Sequence, residues 1–161
     1  METAYLALGT NLGDKVQNLN KAVEEIGKRI GKVISLSAYY ASEPWGFDSV
    51  NNFVNAVVGV ETKLDAKELL AQTQEIELDL GRQEKSKAEQ YTDRIIDIDI
   101  LILGKQIIDS PELKIPHPHI LDRDFVYIQL LQIAPSTVIP NTQSPLKSLI
   151  QTALHTLQKL K

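Results

Sequence analysis

The segment Arg94-Ile-Ile-Asp97-Ile-Asp99-Ile places two carboxylates two residues apart, three positions after an arginine. On a β-strand alternate side chains share a face, so Asp97 and Asp99 project together while Ile96, Ile98, Ile100 and Ile102 turn to the core. Carboxylates about 7 Å apart along a strand repel each other unless a cation sits between them. Oxygen ligands of this kind suit a hard ion such as Mg²⁺, which keeps waters and bridges to phosphate oxygens. A solvated strand face would carry the same two acids. Arg94 favours the first reading, because phosphoryl transfer needs a cation-binding acid pair beside an anion-binding guanidinium.

Phe53 and Asn55 form a second pair with strand spacing. A flat apolar wall beside an amide that both donates and accepts suits a planar heterocycle, although aromatic side chains on strands mostly serve the core. Phe125, just after Arg123, could supply a second wall. Gln74 and Glu77 share one helix face, a turn before Arg82, where solvation alone would also explain them. His117 stands between Pro116 and Pro118, so its backbone is restricted; a structural role competes with a binding one. Gly9-Thr10-Asn11-Leu12-Gly13 leads into a helix N-terminus, which can hold an anion. It lacks the lysine and spacing of a P-loop and the spacing of a dinucleotide-binding turn. A tight, capped turn is the simpler reading.

Positioning these groups requires a mixed fold. Thr3–Gly9 reads as a buried strand, and Val16, Leu19, Val23, Ile26 and Ile30 recur at the spacing of a helix, with Asp14 and Gln17 set for a capping box and Asn11 competing for the cap. Strands follow at Lys32–Ser42 and Asn52–Thr62. A second helix, capped by Asp65, runs to about Leu80 and stops at Gly81, with Leu69, Leu70, Thr73, Ile76 and Leu80 inward. Residues 82–94 lack apolar periodicity and read as a long functional loop. Ile95–Leu103 is a strand, turning at Gly104-Lys105 into a short hairpin partner at Gln106–Asp109. Helices are expected near Leu121–Ile133 and over about Pro145–Leu160. The core order β-α-β-β-α-β points to a single-domain ferredoxin-like α/β sandwich over residues 1–161, with a mainly antiparallel sheet and C-terminal additions.

Composition sets the frame. The chain has 161 residues, a formal charge of −4 and no cysteine. That excludes a disulfide scaffold, a thiol nucleophile and a Cys-zinc site. Charge is uneven: −5 over residues 1–81, −2 over 82–128 and +3 over 129–161. No block is basic enough to suggest nucleic acid. Three of the four arginines (Arg82, Arg94 and Arg123) fall in the middle block, where fixed anion contacts are therefore expected. No leader or span of about 20 apolar residues is visible, so a cytoplasmic protein without membrane contact is expected.

Taken in order, AYLALGTNLGD, YYASEPWG, NNFVNAV, TQEIELDLGR, RIIDIDILILG and IPHP…DRDFV resemble the 6-hydroxymethyl-7,8-dihydropterin pyrophosphokinases. The resemblance implies transfer of the β,γ-pyrophosphoryl unit of ATP to the pterin hydroxymethyl oxygen, with release of AMP, in tetrahydrofolate biosynthesis. It implies that Asp97 and Asp99 hold two Mg²⁺ ions and that Arg82 and Arg94 are catalytic, on the ATP phosphates. Phe53 and Phe125 would stack on the pterin, with Asn55, Ser42, Pro44 and Trp45 at its edge. Gln74, Glu77, Lys85, Ile100, His117 and Arg123 would lie on the ATP side. Many relatives carry Arg-x-Arg after the helix glycine, whereas this chain has Arg82-Gln83-Glu84; Lys85 or Lys87 offers a point charge there and not a bidentate fork. A monomer is expected. The competing classes are a non-catalytic ferredoxin-like ligand-binding module and a metal-dependent phosphate-ester hydrolase.

Overall fold

The computed structural model describes residues 1–42, 53–81, 95–120, 124–135, 137–140 and 158–159, with only the backbone at 42, 124, 125, 158 and 159. The chain order is β1 (Glu2–Thr10), α1 (Lys15–Arg29), β2 (Gly31–Leu36), β3 (Tyr40–Ser42), β4 (Phe53–Thr62), α2 (Ala66–Gly81) and β5 (Asp97–Leu103). It continues with β6 (Ile108–Asp109), β7 (Lys114–Ile115), α3 (Asp124–Ile133) and β8 (Gln158–Lys159). The main sheet runs β5-β1-β4-β3-β8, and β2 pairs with β4 beyond β3. Its pairings are antiparallel. This is the ferredoxin-like α/β arrangement expected from the order of apolar segments.

Two apolar layers sandwich the sheet. On one side Leu6, Leu8, Val58, Ile98 and Ile100 pack with Leu19 and Ile26 of α1 and Leu69 and Ile76 of α2. On the other, Val57, Leu101 and Ile102 pack with Val126 and Leu130 of α3 and with Ala134 just after it. The helix starts are locally specified. Asp14 accepts the Gln17 N–H at 3.1 Å, and Asp65 and Glu68 form a reciprocal capping box at 2.8 and 2.9 Å. Gly13, with φ of 68°, makes the turn into α1 that a side chain would strain.

Four expectations need correction. The strand expected over Lys32–Ser42 is broken at Ser37. Its hydroxyl accepts the Val57 N–H at 2.9 Å and replaces regular ladder pairing, so β2 and β3 are separate. Ile102 does not share the inward face of Ile96, Ile98 and Ile100. The β1–β5 register slips between Tyr5 and Leu6, a bulge at Leu101 that sends Ile102 to the α3 side. The segment after Gly104 pairs with Lys114–Ile115 in a separate two-stranded sheet and not with β5. Finally, Gln158–Lys159, placed in a last helix by periodicity, is a strand on the open side of β3; the rest of that helix expectation lies outside the described residues.

Candidate active site

Register, more than proximity in sequence, assembles the site. Gly9 on β1 pairs with Asn55 of β4 on one side and with Asp97 of β5 on the other. Directly paired residues point to the same face, so Asn55, Gly9 and Asp97 form one row across three strands. Two positions along, Ala7 pairs with Val57 and with Asp99. Phe53, Asn55, Asp97 and Asp99 therefore share the α3 side of the sheet, as the alternation in the sequence required. Asp97 and Asp99 are half-buried while Ile98 between them is buried.

Gly9 keeps the middle of that row low. A Cβ there would come within 3.1 Å of the Asn55 side-chain oxygen and 3.7 Å of the Phe53 ring. The sequence marks this glycine only as part of a tight turn; its second role is to leave a floor between an amide and a carboxylate. The turn itself is tied down by Asn18, whose amide donates to Thr10 Oγ1 at 3.1 Å and to the Leu12 carbonyl at 2.7 Å.

The outer edge of β5 carries a second set of groups. Glu77 of α2 accepts the main-chain N–H of Ile98 at 2.7 Å. Farther along, the N–H of His117 donates to the Leu101 carbonyl at 2.9 Å. Between these fixed points lies a hollow of about 270 Å³, walled by Leu70, Ile98, Ile100 and Leu113 and rimmed by Glu112, Lys114 and His117, with Asp99 at its margin. Apolar walls with a few polar rim groups suit a planar base. The His117 Nδ1 accepts the His119 N–H at 3.1 Å, so in the neutral ring the proton sits on Nε2. Sequence reasoning missed Leu113, Glu112 and Lys114, because nothing in their spacing marks them; the β6–β7 pairing brings them to β5.

Not every expected residue can be placed. Arg82, Arg94, Lys85, Pro44, Trp45 and Arg123 lie outside the described residues, and Ser42 and Phe125 are described by backbone alone. Ser42 pairs with Phe53 across β3 and β4, and Phe125 lies in the first turn of α3. Gln74 is on the exposed side of α2 and does not join the lining of the hollow, whereas Glu77, one turn on, reaches β5.

Asp97 and Asp99 also fit the chemistry of a magnesium site. Among the described residues no group of three or more His, Asp or Glu side chains gathers to hold a metal. Mg²⁺ characteristically takes one or two carboxylates and completes its shell with water and substrate phosphates.

A family model for 7,8-dihydro-6-hydroxymethylpterin-pyrophosphokinase matches residues 5–135. The chain belongs to this family. It is similar to the 2-amino-4-hydroxy-6-hydroxymethyldihydropteridine pyrophosphokinase of Porphyromonas gingivalis, at 46% identity over 136 residues, which cover 84% of this chain and 92% of that one. The enzyme of the same name from Aquifex aeolicus is 38% identical over 147 residues, covering 91% and 89%. That from Haemophilus influenzae is 37% identical over 161 residues, covering 99% of each. Among solved structures, the fold is similar to that of Plasmodium falciparum HPPK-DHPS with SDX-DHP, at a TM-score of 0.69 and 18% identity. That match covers 92% of this chain and 43% of the longer Plasmodium one. The pyrophosphokinase family thus accounts for the whole β1–α3 framework that holds the row and the hollow.

Proposed function

We propose that this pyrophosphokinase binds ATP along the outer edge of β5 and the pterin over Phe53 and Asn55, with phosphates crossing the floor at Gly9. The chain is an ATP-dependent diphosphokinase that transfers pyrophosphate to the hydroxymethyl group of hydroxymethyldihydropterin, in folate biosynthesis. The observation that carries the layout is the row Asp97–Gly9–Asn55. Neighbouring strands lie about 4.8 Å apart, so carboxylate and amide stand roughly 10 Å from one another, a span that a polyphosphate can bridge.

In this layout the base enters the hollow beside Ile98 and Ile100, and His117 donates from Nε2 to a nucleotide oxygen. Antiparallel alternation turns the main-chain groups of Ile100 to the same outer edge as those of Ile98. Gln74 and Glu77 belong to the nucleotide side. Asp97 and Asp99 would hold magnesium, two ions in our reading, and the metal when bound would neutralise phosphate charge. Arg82, Arg94, Lys85 and Arg123 add positive charge along the same path. Phe53 and Phe125 face the two sides of the pterin ring, while Asn55, Ser42, Pro44 and Trp45 meet its edge. The pterin hydroxyl then attacks the β-phosphorus in line, and AMP leaves from the opposite side. Positioning and charge stabilisation carry the rate, because the protein forms no covalent bond to the moving group.

We place the protein in the cytoplasm as a monomer of one domain over residues 1–161. No helix among the described residues is long and apolar enough to cross a membrane. Product analysis tests the function. Incubation with ATP and Mg²⁺ should yield AMP only when hydroxymethyldihydropterin is present. Ligand binding without AMP would favour the non-catalytic module, and AMP or ADP without pterin would favour a hydrolase.

A further inference from the structure

We propose that Gln129 is a positioning residue for the pterin, acting through the main chain of Asn55. The proposal rests on the reading of Asn55 as a pterin contact. Gln129 lies in α3 with a relative exposure of 0%. Its Nε2 donates to the Asn55 carbonyl oxygen at 2.6 Å, joining positions 74 residues apart. This bond drops from the helix layer onto the sheet at the residue that stands beside Gly9.

The orientation of the amide follows from that contact, since turning it round would set two oxygens 2.6 Å apart. The other end, Oε1, is buried and accepts no hydrogen bond among the described residues. In a layer otherwise built of Val57, Val126 and Leu130, an unmet acceptor is a poor choice for packing. A methionine of similar volume would fill the space without desolvating an oxygen. A buried amide with one end bonded to Asn55 and the other unmet, in the wall of a site, is the pattern that functional constraint leaves.

What the bond controls is specific. The Asn55 carbonyl and side chain share one Cα, so a tilt of the peptide plane moves the side-chain amide. Phe125 lies one turn before Gln129 on α3, and the same bond fixes the backbone of that turn against β4. Gln132, three residues on, makes a comparable contact elsewhere: its Oε1 accepts the Ala38 N–H at 3.1 Å. Gln129 docks α3 on β4 and Gln132 docks it on the link between β2 and β3, and only Gln129 touches the residue assigned to substrate.

The test uses Gln129→Met with Gln132→Met as the control, in the full chain. In Gln129→Met the pterin KM should rise about tenfold, the loss of one buried hydrogen bond. Its KM for ATP and its kcat should change by less than about twofold. Gln132→Met should leave the pterin KM unchanged. Adding Gln129→Met to Asn55→Ala should raise the pterin KM no further than Asn55→Ala alone. An unchanged pterin KM, equal rises for both substrates, or additive effects with Asn55→Ala would overturn the proposal. Should Gln129→Met fail to fold, Gln129→Glu replaces it. A protonated carboxyl can donate to the Asn55 oxygen and a carboxylate cannot, so pterin binding should tighten on acidification relative to wild type. Parallel pH profiles would overturn the proposal. Wild-type protein that forms no pterin-dependent AMP would instead overturn the functional reading on which this rests.

Discussion

The Glu77 carboxylate holds the main-chain N–H of Ile98 at 2.7 Å, at the one residue that separates Asp97 from Asp99. Helix α2 thereby anchors the outer edge of β5 where the strand presents its two acids to the opposite face. Glu77→Ala should lower kcat/KM for ATP about 10- to 100-fold, the range for a lost hydrogen bond to a charged group. Glu77→Gln keeps an acceptor oxygen and should lose less. Steady-state kinetics with ATP varied at saturating pterin would decide, and equal losses in the two variants would remove the hydrogen bond as the cause.

Asp97→Ala and Asp99→Ala should each cut AMP formation by about a thousandfold, the scale for deleting one charge-stabilising group. Circular dichroism should remain that of the parent, because both side chains are only half-buried. Chelating Mg²⁺ should abolish turnover in the parent enzyme. Near-parental rates in both variants would remove the metal assignment.

Gly9→Ala tests the floor of the site. The added methyl would stand 3.1 Å from the Asn55 amide oxygen, close enough to displace it. We expect a raised pterin KM with little change in the KM for ATP. Competition experiments with each substrate varied in turn separate the two.

Lys114 rims the hollow beside β5 and pairs with Asp109 at 2.5 Å. The hydrogen bond from Lys114 and its charge hold the Asp109 carboxyl below its ordinary value of 3.8. A lowered folded pKa contributes stability above the unfolded value, and that contribution is lost as pH falls through the folded one. Asp109→Asn should therefore melt slightly below the parent at neutral pH and converge with it once the pH falls through the lowered folded value. Both side chains are exposed, so added salt should shrink the neutral-pH difference.

Arg29 is the arginine outside the middle block, and its partners explain why. It bridges Glu25 of its own helix at 2.8 Å and Asp79 of α2 at 2.7 Å. The Asp79 hydrogen bond raises its already high pKa, so it stays charged at any working pH. Arg29→Ala should lower Tm modestly and leave both KM values unchanged. A kinetic defect without a Tm change would contradict the structural role.

Much of this arrangement is legible in the order of the amino acids. Alternation alone puts Asp97 with Asp99 and Phe53 with Asn55, and apolar spacing locates α1 and α2 with Asp14 and Asp65 at their starts. Other features depend on contacts that no local pattern announces. The bulge at Leu101 appears only when β5 is laid against β1. The break at Ser37 depends on Val57, twenty positions away. Gln158 and Lys159 follow a helical period, yet an open strand edge at Tyr40 and Ala41 takes them. Gln129 resembles any helix glutamine, since its meaning lies in a carbonyl 74 residues earlier.

The row Asp97–Gly9–Asn55 has a kinetic corollary. Its three members come from widely separated stretches of chain, and no single hairpin contains them. Contacts between distant segments form late, because the loops they close must first be ordered. A refolding population will regain helical signal before any molecule can bring acceptor, floor and acid into line. Recovery of turnover after dilution from denaturant is thus a clock for completion of the sheet.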